Sequence, residues 1–146
     1  MYTGLKHLHS SMPYLFLPLL VVALVVFAMK WQAGKPFGKS DTRLALFTMI
    51  LAHLQFLVGL ILYLVSPTIK AALESGELMS NSNYRFYGVE HISTMIIAIM
   101  LITIGYSRAK RLERPAGKFK ALTLFFLIGL LLVLARIPWQ SWPSFG

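Results

Sequence analysis

The sequence predicts an all-α integral membrane protein, a four-helix bundle of up-down-up-down topology, and three observations carry that expectation. Of its 146 residues 57% are hydrophobic and 13% charged, with a mean hydropathy of +0.68, well outside the balance of soluble domains. Uncharged runs of 23 residues between Lys6 and Lys30 and of 26 between Arg43 and Lys70 each supply the roughly 20 residues that a membrane-spanning helix needs. The basic residues, finally, cluster where alternate loops would fall. Lys30, Lys35, Lys39 and Arg43 lie between spans one and two, and Arg108, Lys110, Arg111, Arg114, Lys118 and Lys120 between spans three and four.

The first span is expected over residues 12–31. Met1 to Met12 form a short outer segment with His7 and His9, and Pro13 suits the first turn of a helix capped at Ser11 or Met12. A cleaved signal peptide does not fit this stretch. The apolar run from Pro13 to Met29 is too long for a signal core, and Lys30, Trp31 and Gln32 offer no small-x-small cleavage pattern. Ala33 to Gly38 make a turn, after which Ser40 or Asp41 can cap the second helix, with its span at 44–65. Ser66 and Pro67 end it. Ile69 to Leu78 have helix-forming composition and are expected along the outer interface, and Ser80 to Asn83 break that helix. The third span, 85–107, carries Glu90 and His91 near its start. The fourth, 119–136, has only 15 uncharged residues, Ala121 to Ala135, so Lys118, Lys120 and Arg136 must reach back to the interfaces. Four spans make one domain over 1–146. An aromatic, proline-rich tail from Ile137 to Pro143 suits the outer interface.

Charge distribution sets orientation and excludes one class of partner. Ten of the fourteen lysines and arginines fall in the two basic loops, which by the positive-inside rule is expected to put those loops in the cytoplasm and both termini on the outer side. A net charge of +9 distributed in this way is an orientation signal and a lipid headgroup contact, not a nucleic-acid footprint. Cysteine is absent, which removes disulfides, thiolate ligation and cysteine catalysis. No phosphate loop, nucleophile elbow or zinc-type histidine pair on one helix face occurs.

His53 and His91 are the chemical outliers, since each lies in an apolar stretch long enough to cross a bilayer, where an ionisable or ligating group is costly and marks a candidate functional site. At about 100° per residue the face of His53 carries Leu46, Met49, Phe56 and Leu60, while Gln55 points nearly the other way. The face of His91 carries Tyr84, Tyr87, Thr94, Met95, Ala98, Ile102 and Gly105, and its small residues leave room for a flat macrocycle or for a close helix neighbour. Counting about 1.5 Å per residue from the outer boundary puts His91 roughly 9 Å deep and His53 roughly 18 Å deep. His9 is a rival partner for His91 if the first helix begins before Pro13. Met49 and Met95 stand four residues from His53 and His91, so copper is a minor alternative to haem. Glu90 needs a partner other than its neighbour His91, and Arg136 reaches the same side. Alternatively Arg85 and Arg136 can hold haem propionates.

Several segments together, His7-Leu8-His9-Ser10, Ala52-His53-Leu54-Gln55 followed by Gly59, Arg85 to His91, and Ile137-Pro138-Trp139, resemble small bacterial four-helix membrane proteins labelled cytochrome b-like. A more distant likeness is to haem A synthase halves and cytochrome b561-type bundles. The resemblance implies one haem b with His91 and His53 as axial ligands, His9 as the alternative, and electron transfer with other membrane subunits or a quinone. The other function open to such a chain is that of a cofactor-free accessory subunit of a larger membrane complex.

Overall fold

A computed structural model describes residues 1–143; residues 144–146 lie outside the described part. Five helices account for most of it: α1 (Tyr2–Gln32), α2 (Lys39–Val65), the short α3 (Pro67–Ser75), α4 (Ser82–Arg111) and α5 (Pro115–Arg136). No strand occurs among the described residues. All but α3 are long and apolar enough to cross a membrane.

Each long helix extends beyond the run that its hydropathy marks, and the difference matters most in α1. The helix starts at Tyr2, nine or ten residues before the expected cap at Ser11 or Met12, and passes through Met12 in helical conformation with φ −58° and ψ −34°. Pro13 has no N–H to give the carbonyl four residues back, which is that of His9. The chain does not break there because another helix supplies the donor: Gln55 Nε2 of α2 donates to His9 O at 2.9 Å.

At the other end of the bundle Gly38, not Ser40 or Asp41, caps α2. Asp41 sits in the first turn, 2% exposed, and accepts from Gly38 N at 2.9 Å and from Lys30 Nζ at 2.7 Å. A buried carboxylate is tolerated only when paired in this way, so Asp41 ties the α1–α2 turn to both flanking helices. α3 begins at Pro67 with the Ser66 side chain accepting from Ile69 N, and ends at Gly76, whose φ of +70° admits glycine most readily. It therefore starts two residues before and ends three residues before the expected 69–78.

The core is built on α5, 44% of whose apolar window is buried, against 17% for α2. Phe16, Leu20, Ala23 and Phe27, a 4-3-4 spacing that keeps one face of α1 inward, pack on Phe119, Leu122, Phe126 and Leu130 of α5. The α4–α5 contact is close because its residues are small. A Cβ on Gly105 would stand 2.6 Å from Phe125 Cβ, and one on Gly129 would stand 2.9 Å from Ile102 and 3.4 Å from the Ala98 carbonyl. Outside this core, exposed Val22, Leu57, Ile97 and Leu131 show that all four long helices present apolar side chains outward.

Candidate functional site

The end of the bundle opposite the basic turns gathers His9, His91, Glu90, Arg85 and Arg136, while His53 and Met49 lie elsewhere. After a first α-helical turn at Ser82–Arg85, α4 passes through a turn of π-helix at Phe86–Glu90, in which His91 N donates to Phe86 O. Such a turn inserts one residue into the helical repeat and rotates every later side chain about the axis, and it occurs often at functional sites. The Gly88 carbonyl within it accepts from the Tyr63 hydroxyl of α2 at 3.0 Å. A regular wheel puts Tyr84 and Tyr87 beside His91, whereas the wide turn puts Phe86 there, with ring centroids 6.1 Å apart.

His91 faces His9. Their ring centroids are 6.3 Å apart and the planes cross at 85°. His91 Nδ1 lies 2.7 Å from Arg136 O, the last carbonyl of α5, and so carries the proton and donates there. His9 Nδ1 lies 3.2 Å from Gln55 Nε2. Each ring is thus oriented through Nδ1, and Nε2 is the nitrogen left to meet a ligand. The ring of His9 lies over Gly59, where a Cβ would come within 2.7 Å of His9 Cε1. Gln55 Oε1 is buried with no hydrogen-bond partner, an unsatisfied acceptor costing about 1–3 kcal/mol beside the two imidazoles.

Glu90 is held between two arginines. Arg85 Nε donates to Oε1 at 3.0 Å, and Arg136 Nε lies 3.7 Å from Oε2. Arg85 Nη1 also donates to Met79 O at 2.9 Å. The expected Glu90–Arg136 pair is present, and Arg85 is an additional partner. Since a guanidinium has five N–H donors, both arginines keep donors for a further carboxylate. The C-terminal segment closes this end of the bundle, Trp142 Nε1 donating to Ser10 O at 2.8 Å.

His53 is placed elsewhere. Its Nδ1 lies 2.8 Å from Met49 O and its Nε2 3.3 Å from Thr103 Oγ1 of α4. Thr103 is twelve residues beyond His91, about 18 Å along the helix, and no ring contact among the described residues includes His53. The structure therefore brings His9, and not His53, to His91. Met49 packs on the main core and Met95 on a smaller cluster with Val133 and Ile137. Ala98 and Gly105, which could have opened a cleft under His91, are filled by α5.

The His9–His91 spacing and near-perpendicular planes are those of an edge-to-face ring contact, which brings two potential ligands from α1 and α4 together. The Nδ1–carbonyl bond of His91 is the support that metal-ligating histidines usually have. By donor chemistry alone, two imidazoles with engaged Nδ1 atoms are ligands that a haem iron would accept. Among the described residues no group of three or more His, Asp or Glu side chains could hold a bare metal ion; axial haem ligation needs only two. Gln55 and Gly59, which set the position of His9, had no role assigned to them from the sequence. Their signal was present as a lone amide and a glycine, four residues apart on one face of an uncharged span. Comparisons with protein families, curated proteins and solved structures find no match.

Proposed function

We propose that the chain is a small b-type cytochrome-like protein of the bacterial inner membrane, its four long helices crossing up-down-up-down and one haem held between His91 and His9. The observation that carries this reading is the pair of facing imidazoles, 6.3 Å apart, each oriented through Nδ1. Arg85 and Arg136 lie beside His91 with donors to spare for propionates. The haem, when bound, supplies one-electron redox chemistry. The residues of the chain orient the two imidazoles, surround them with apolar helix faces and neutralise Glu90. Its electron-transfer partners on this reading are other membrane subunits or a quinone.

The ligand assignment is tested by two single variants. His9→Ala should abolish or strongly shift the reduced-minus-oxidised haem b spectrum, while His53→Ala should leave it in place; the opposite pattern would make His53 the partner of His91.

Orientation has its own test. The α1–α2 and α4–α5 turns meet, Phe37 lying 5.0 Å from Phe119, so both basic turns share one end, which is the cytoplasmic one by the positive-inside rule. The native chain has no cysteine. In intact cells Ser82→Cys should react with a membrane-impermeant thiol reagent and Ser40→Cys should not; the reverse would invert the topology.

The second reading is a cofactor-free accessory subunit. It is favoured by the filling of Ala98 and Gly105 by α5 and by the outward apolar faces that larger partners could cover.

A further inference from the structure

We propose that the basic end of the bundle carries a built site for the phosphodiester group of an anionic phospholipid, in the cavity between the α1–α2 turn and the corner joining α4 to α5. The proposal rests on the membrane-spanning reading given above and is independent of the haem. The cavity measures about 80 Å³, against the roughly 10–15 Å³ that a single water needs, so it takes a group of several heavy atoms. Its polar lining consists of Thr42, Tyr106, Lys110 and Lys118, and its apolar side includes Phe37 and Leu122. No acidic residue lines it.

The donors are arranged for an anion. Lys118 Nζ is fixed by donating to Ala109 O at 2.7 Å and by standing 5.2 Å from the centre of the Phe37 ring, and an ammonium has two more N–H groups to give. The Tyr106 hydroxyl has no hydrogen-bond partner among the described residues, and Lys110 has no acidic partner there. The two connecting turns and the helix ends beside them carry ten lysines and arginines against two acids, Asp41 and Glu113, and Asp41 is already neutralised by Lys30. Basic pockets between spanning helices on the cytoplasmic side suit acidic headgroups. A lipid is favoured over free phosphate because α2 and α4 continue from the cavity into exposed Phe47, Ile50, Ile104 and Met100, along which acyl chains can lie.

The test uses the full chain extracted from membranes in neutral detergent, with bound lipid counted by native mass spectrometry. Dioleoyl-phosphatidylglycerol should be retained at least threefold over dioleoyl-phosphatidylcholine, and excess inorganic phosphate should not displace it. Lys110→Gln and Tyr106→Phe should each lower retention about threefold or more, whereas Lys35→Gln, with the same charge change outside the cavity, should not. Equal losses in Lys110→Gln and Lys35→Gln would replace the site by diffuse attraction, displacement by phosphate would make it a free-anion site, and equal retention of the two lipids would end the proposal. Failure of the membrane reading would show separately, as a chain that is absent from the membrane fraction before extraction.

Discussion

Gly105→Val should destabilise the protein by about 1–3 kcal/mol, the cost of forcing extra atoms into a packed interface. A Cβ at this position would be 2.6 Å from Phe125 Cβ. That atom is fixed to its own backbone, so no rotamer change relieves the clash and α5 itself must move. α5 is also the helix on which α1 packs, and the displacement would be felt through the whole core. Gly4→Ala is the control. Nothing lies within 4 Å of a Cβ at Gly4, and alanine there should be neutral or slightly stabilising through helix propensity. Thermal loss of helical circular dichroism in detergent separates the two; equal midpoints would mean that the α4–α5 contact is looser than the spacing at Gly105 requires.

His91→Ala should remove the haem b difference spectrum from a protein that still folds. The variant loses the Nδ1 bond to Arg136 O, a neutral hydrogen bond worth about 0.5–1.5 kcal/mol, which is too little to unfold a bundle whose main core lies elsewhere. Helical circular dichroism should therefore be kept while the chromophore is lost. A His91→Ala protein with an unchanged spectrum would remove His91 from the ligand set.

The long helices are legible in the sequence because uncharged runs are decisive when every charge is excluded, and the gathering of both basic turns at one end is set by the spacing of those runs. Three features at the candidate site are not legible. Ser11 and Met12 before Pro13 have the pattern of a capped helix start, and only the amide of Gln55, which meets the His9 carbonyl from 46 residues away in sequence, lets the helix continue through Pro13. The π-helical turn leaves no mark in residue spacing, yet it decides that Phe86 and not Tyr87 lies next to His91. Depth counting puts His53 and His91 within about 9 Å of one level, but it assumes helices that start level. The observed register sets His53 against Thr103 and leaves His91 to α1, the helix that such a count starts too late.

Whether His9 and His91 hold one haem, as proposed, is read from a visible spectrum of the unaltered protein purified from its native membrane, with iron determined on the same sample. The expected result is a b-type spectrum with about one iron per chain and the low-spin signature of two axial imidazoles. Well-folded protein with neither chromophore nor metal would contradict the claim and leave the accessory-subunit reading in its place.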